Sequence, residues 1–272
     1  MLGALERGAR LLRRAGLGGL VDRAGERVGR VAAKRELEVA GVRLAGNHAG
    51  HLYYLRELAD GRDRFLAELL ARHTPPGGVA IDGGAHIGYL TVQLARAVGA
   101  EGRVYAFEPE AGAREALAAN LERNGVAERV TVLPQALGAG PGRASLHVGG
   151  GGEASSLAPL EGERATAGVD VIALDDVLPP ELEIAVVKLD LEGSETAALR
   201  GMRRSLERSE RPVLVVELNP GRLAALGSSQ DELLALLREL GFETRVIDEE
   251  RGELLDEIEV PGEYVNLLCR RS

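Results

Sequence analysis

The chain has one cysteine, Cys269, so no internal disulfide can form, and this usage fits a reducing compartment. No apolar run approaches the ~18 residues of a membrane span, and the N-terminus lacks the apolar core and cleavage site of a signal peptide. A cytoplasmic location is expected. Positive charge is also short. The formal net charge of −9 argues against a dedicated nucleic-acid binder, because phosphate recognition wants a basic surface. Lysine is scarcer still: Lys34 and Lys188 stand against 31 arginines. Cys/His zinc spacings and a nucleophile elbow are missing, and nothing in the spacing of the acids requires a metal.

What is present suits a globular protein, with 272 residues of which 45% are hydrophobic. Residues 1–35 carry nine basic residues against three acidic ones, net +6, so the remainder sums to −15. Leu5, Ala9, Leu12, Leu20, Ala24, Val28 and Val31 fall at near-helical spacing there, interrupted by glycines that weaken a helix. Residues 1–60 are read as a partly helical lead-in. Its basic start packs on the body or on a second subunit of a homo-oligomer, or lies against an anionic membrane surface, a reading the glycines oppose.

From residue 62 the text becomes rhythmic. RDRFLAELLARH (62–73) has helical spacing and stops at Pro75-Pro76-Gly77-Gly78. Short runs rich in Val and Ile then alternate with amphipathic stretches: VAID, VYAFE, VTVLPQAL, IAVVKLD, VLVVEL, FETRVI and YVNLLC are the expected strands. Helices are expected over 87–98, 111–124, 195–206 and 230–240. This alternation implies an α/β, Rossmann-like fold: a mostly parallel seven-stranded sheet with helices on both faces. The acidic, turn-rich DEERGELLDEIEVPGE suits a hairpin rather than a crossover helix, which makes the last strand antiparallel. Residues 138–176, with RASLHV, a run of four glycines and VDVIAL, read as a β-rich insertion with a binding loop or lid. The domain proper is expected to span 61–272.

In open parallel sheets ligands sit beyond the carboxyl ends of the strands. The residues there are Asp82, Glu108, Gln135-Ala136, Asp190 and Glu217-Leu218-Asn219. The first turn, Gly83-Gly84-Ala85-His86-Ile87-Gly88, misses a dinucleotide fingerprint at its second glycine. An acid followed by glycines, here Asp82, Gly84 and Gly88, instead favours a methyl donor. Glu108, twenty residues beyond Gly88, can accept hydrogen bonds from both hydroxyls of a ribose, which both ligand classes carry.

The blocks IDGGAHIGYLTVQLA, VYAFEPE, IALDDVL, VVKLDLEGSETAALRGM and VLVVELNP resemble the FkbM-type S-adenosylmethionine-dependent methyltransferases over roughly residues 60–240. The KLDLEGSE block is the most specific. The resemblance implies a class I methyltransferase that methylates a hydroxyl of a sugar or other natural product, with S-adenosylmethionine as cofactor. It implies that Asp82, Gly84 and Gly88, with His86 in the same loop, hold the amino-acid end of the donor. Glu108 would hold the ribose, and Gln135 and Ala136 would lie near adenine. Asp190 and Glu192 would border the methyl group and acceptor. His86 stands where the family more often has asparagine, and its Gly-Tyr-Glu signature is not evident around Tyr53-Tyr54.

Three residues are candidates for catalysis. Asp190 or Glu192 would take the acceptor's proton, and Lys188 would orient that carboxylate or stabilise the developing oxyanion. A structural ion pair of Lys188 with Asp190 or Glu195 explains the same residues, as does a turn-stabilising role for His86. Rival functions are a nicotinamide-dependent oxidoreductase, whose Tyr-x-x-x-Lys relay is missing, and a donor-binding module without turnover.

Overall fold

A computed structural model describes residues 36–148, 155–157, 164–260 and 264–271. The basic start and the four-glycine run lie outside these residues. In chain order the strands are β1 Leu37–Val39, β2 Val42–Leu44, β3 Val79–Gly83, β4 Arg103–Phe107, β5 Val130–Leu133, β6 Ala136–Leu137, β7 Gly142–Val148, β8 Ser155–Ser156, β9 Arg164–Ile172, β10 Ile184–Leu189, β11 Val213–Leu218, β12 Glu243–Asp248, β13 Glu253–Leu255 and β14 Val265–Arg270. The helices are α1 Ala49–Ala59, α2 Arg64–His73, α3 Tyr89–Val98, α4 Ala111–Arg123, α5 Glu195–Gly201, α6 Arg203–Arg208, α7 Pro220–Ala225 and α8 Gln230–Glu239.

The main sheet runs β13-β12-β14-β11-β10-β3-β4-β5. β3, β4, β5, β10 and β11 pair in parallel, while β14 inserts antiparallel between β11 and β12. The seven expected strands are all present, and β13, inside the acidic hairpin segment, adds an eighth at the edge beside β12. β3 occupies the middle, and all five of its residues are buried, as a strand covered on both faces requires. One core layer packs α1–α4 and β2 on one face; the other packs α5–α8 on the opposite face. Residues 42–58 of the lead-in thus contribute Val42, Leu44, Leu55 and Leu58 to the first layer.

The helix expected over 195–206 is two helices. Gly201 is the last residue of α5, and it packs so closely that a Cβ there would stand 2.0 Å from the carbonyl oxygen of Gly138. α6 then restarts with a cap from outside its own sequence: the Asp175 carboxylate accepts from the Arg204 and Ser205 backbone N–H groups, at 2.9 and 2.7 Å. A second sheet, β6-β9-β7-β8, makes up the insertion, and its long hairpin pairs β7 with β9 antiparallel. Ala136 therefore does not end β5. The chain leaves β5 at Leu133, and Ala136 begins a strand of the second sheet, while Gln135 lies between the two, half-buried, its Oε1 enclosed without a partner.

Candidate active site

Parallel register places Lys188 of β10 directly beside Asp82 of β3, both buried. An isolated charge in that position would be prohibitive, so each needs partners. Thr91 Oγ donates to Asp82 Oδ2 at 2.6 Å, and Lys188 Nζ lies 3.5 Å from Asp82 Oδ1. Nζ also donates to the carbonyls of Gly83 (3.1 Å) and Gly84 (2.7 Å) and stands 3.7 Å from Asp190 Oδ2. Burial lowers the lysine's pKa, but Asp190, Asp82, Asp63 and Glu108 together outweigh it and hold the ammonium above its ordinary value. A lysine suits this place because its three donors can reach two successive carbonyls and a carboxylate, which a planar guanidinium cannot.

The Gly84 turn rests against the end of β10. Its φ is +75°, and a Cβ would stand 1.9 Å from the Asp190 carbonyl oxygen, so only glycine fits. His86 follows at φ +48°, a left-handed conformation that asparagine and histidine tolerate better than most residues. Gly88 is the N-cap of α3. Asp82 and Gly88 are buried behind this turn, whereas Gly84 and His86 line the open cleft in front of it.

That cleft has a volume of about 300 Å³. Its floor is the Gly84–His86 turn with Glu108, Lys188 and Asp190; its far side is Glu192, Glu217 and Asn219. The α1–α2 corner supplies Tyr54, Arg62 and Asp63, and the start of β14 supplies Tyr264 and Asn266. These last five carried no functional signal in the sequence, because their place depends on how the lead-in and the final strand fold back over the sheet. A smaller pocket adjoins the cleft, sharing Gly84, Glu108, Ser155 and Asp190, and is otherwise largely apolar, with Phe107, Ala136 and Leu137.

Glu108 ends β4 with its carboxylate buried. His86 N–H donates to its Oε2 at 2.7 Å and Glu110 N–H to its Oε1 at 2.9 Å. Burial nonetheless pushes this carboxyl up to about 7. Glu195 is raised to about 7 by the same cause, and its Oε1 accepts from Leu191 and Gly193 N–H at 2.8 and 3.2 Å, bracing the loop that carries Asp190 and Glu192. Glu192 sits at φ +53° and pairs with Arg222 at 3.0 Å. From the insertion, Ser156 Oγ donates to the Glu192 carbonyl at 3.0 Å, so the second sheet reaches this loop.

Histidine is concentrated beside the turn. The His86 ring meets those of His51 and Tyr54 edge-on at 5.0 and 4.8 Å between centroids. Burial lowers His86 to about 3 and His51 to about 2, so both are neutral. Ligating atoms of His48, His51 and Glu110 come within 4.8 Å of one another, a metal-like grouping. The hydrogen bonding opposes that use. His51 Nδ1 accepts from Asn47 N–H at 3.2 Å, which leaves its proton on Nε2, and both Glu110 oxygens cap the N-terminus of α4. Asp190, Glu192 and Glu217 do not form a cluster of that kind among the described residues.

The description "Methyltransferase FkbM domain" matches residues 82–244 of the chain. The chain belongs to the FkbM methyltransferase family. The match spans every strand end described above, from Asp82 of β3 to Glu217 of β11. A protein of Pyrobaculum calidifontis named as a probable cobalt-precorrin-6B C(15)-methyltransferase (decarboxylating) is 30% identical over 170 residues, 60% of this chain and 83% of that one. Among solved structures, a candidate rRNA methylase from Clostridium thermocellum superposes with a TM-score of 0.50 at 14% identity, covering 76% of this chain and 92% of that one. A methyltransferase FkbM from Methylobacillus flagellatus KT covers 82% of this chain and 54% of its own, at 18% identity and a TM-score of 0.46. The FkbM chain is an S-adenosylmethionine-dependent methyltransferase of class I fold, which decides against a nicotinamide enzyme. No helix among its described residues is long and apolar enough to cross a membrane.

Proposed function

We propose that this FkbM methyltransferase transfers a methyl group to a hydroxyl of a neutral, polyhydroxylated small molecule such as a sugar. The observation that carries this is the charge pairing of the cleft. Arg62 is bonded to Glu57 and stands 3.8 Å from Asp63, Lys188 is 3.7 Å from Asp190, and Arg222 is 3.0 Å from Glu192. Each lining cation is thus matched by a carboxylate, and an anionic acceptor would have to displace one. A neutral polyol meets what remains: carboxyl groups, two asparagines and the partly exposed rings of Tyr53 and Tyr264.

The residues present fit the donor. The Glu108 carboxylate uses two backbone N–H groups and keeps lone pairs for the ribose hydroxyls. Gly84 and Ala85 present backbone without bulk to the amino-acid end, and the apolar slot around Phe107 and Ala136 suits the adenine. When bound, S-adenosylmethionine supplies a methyl group on a sulfonium, which leaves as a neutral thioether. The chain's own task is positioning, worth up to ~7–11 kcal/mol in favourable cases. Asp190, exposed over 41% of its side chain and held by Lys188, takes the hydroxyl proton. Lys188 acts on the turn and on Asp190 rather than on the acceptor, since its Nζ is committed to both.

The experiment is tritium transfer from labelled S-adenosylmethionine to methyl hexosides, their phosphates, their amino analogues and a tetrapyrrole. Labelling of the neutral hexosides as base-stable ethers is expected. Labelling confined to carbon or to amines would refute the hydroxyl assignment, labelling confined to phosphorylated compounds would refute the neutral acceptor, and donor binding without any transfer would favour the idle module.

A further inference from the structure

Glu217 is the penultimate residue of β11, and the parallel register that aligns Leu189 with Val216 puts it next to Asp190 at the rim of the cleft. It is 6% exposed, and its Oε2 is buried without a hydrogen-bond partner. Neither the donor site nor proton transfer by Asp190 uses it. A carboxyl group enclosed in this way, yet lining the cleft, lacks the partner that burial demands.

We infer that Glu217 is an acceptor-binding residue that donates a hydrogen bond from its protonated carboxyl to a second oxygen of the substrate, beside the hydroxyl that Asp190 deprotonates. The acceptor is therefore read as a compound with two neighbouring oxygens, a vicinal diol or a hydroxyl next to a ring oxygen. This rests on the hydroxyl-acceptor reading above.

The surroundings keep the proton on Glu217. Burial is the first cause, followed by Asp190, Glu192 and Glu195 from β10 and the loop and helix after it, and Lys188 opposes them; together they hold the carboxyl well above the ordinary range. Across β14, Asn266 is its register partner and is neutral, and Tyr264, just before that strand, is also held in its neutral form, pushed up to about 12. Adjacent carboxyls on neighbouring strand ends cannot both ionise cheaply, and Lys188 Nζ stands 3.7 Å from Asp190 Oδ2. A protonated carboxyl has one donor and one acceptor, the pattern that a primary amide also offers.

The test compares wild type, Glu217→Gln and Glu217→Leu by three measurements. Carbon-13 NMR of labelled glutamate carboxyls should show Glu217 neutral at pH 7, and calorimetry should give equal affinity for S-adenosylmethionine in all three proteins. With 1,2-diol probes (methyl hexosides and inositol), transfer by Glu217→Leu should fall about 10- to 100-fold with donor affinity kept, as loss of one buried hydrogen bond implies. Glu217→Gln should retain activity and lose the fall in kcat/KM at alkaline pH, a change that a packing role would not produce. A Glu217 that titrates in the ordinary carboxylate range, or a leucine variant as active as wild type, overturns the inference. If wild type methylates none of the probes, the polyol reading fails, and binding of the same probes by wild type but not the leucine variant, measured with S-adenosylhomocysteine present, still decides Glu217.

Discussion

Lys188 fits two of the readings its sequence allows, an ion pair with Asp190 and a brace for that carboxylate. Its Nζ holds two carbonyls of the donor turn and two carboxylates, so removing it would leave Asp82 buried with Thr91 alone. Lys188→Met is expected to cost about 3–5 kcal/mol in urea unfolding, the usual penalty for breaking a buried pair on one side. Asp190 is the proposed proton acceptor. Asp190→Asn should leave calorimetric donor affinity unchanged while lowering kcat by at least ~100-fold, because the proton acceptor is lost and the donor contacts are not. Glu108 predicts a pH effect on binding. Its carboxyl sits near 7 in the donor-free protein, and in the proposed site ribose hydroxyls donate to the ionised form. Affinity for S-adenosylmethionine should therefore rise between about pH 6 and 8, and Glu108→Gln should bind weakly at both. A flat wild-type profile would refute that assignment.

Helices and loops set the next level of constraint. The break between α5 and α6 was not legible, because 195–206 has helical periodicity throughout and the contacts made there come from Gly138 and Asp175, remote in sequence. Asp175→Ala should lower stability by about 1–2 kcal/mol through loss of the α6 cap, read by urea midpoint, with little change in donor affinity. The turn at Gly84 is more demanding. A methyl there meets the Asp190 carbonyl, so Gly84→Ala should be destabilising and should impair donor binding together, since the proposed donor site is built on the same turn. The insertion's four-stranded sheet was legible as β-rich from RASLHV and VDVIAL, but not its contact from Ser156 to the Glu192 carbonyl, which spacing alone cannot reveal.

For the molecule as a whole, the buried acids give a sign to the pH dependence of stability. Glu108 and Glu195 ordinarily titrate near 4.5 and are raised to about 7 on folding. The folded state then binds more protons than the unfolded one, so their contribution is full below the ordinary value and is lost as pH rises through about 7. Above about pH 6.5 His51 and His86 are neutral in both states, so Tm of the donor-free protein should decline between about pH 6.5 and 8, and less so in a variant with both glutamates changed to glutamine. The layered sheet, the antiparallel last strand and the family were all written in the sequence, because strand and helix periodicity and the strand-end acids are local patterns. So were Asp82, Glu108, Lys188 and Asp190 as a group worth noticing. Which of them faces the cleft was decided by the tertiary structure. Parallel register set Lys188 against Asp82 behind the turn, Asp190 in front of it and Glu217 beside Asp190, and chain reversal at the two ends brought Arg62 and Tyr264 to the same cleft. A sequence lists charges in order; their partners, and so their protonation and purpose, follow from contacts between strands that are a hundred residues apart.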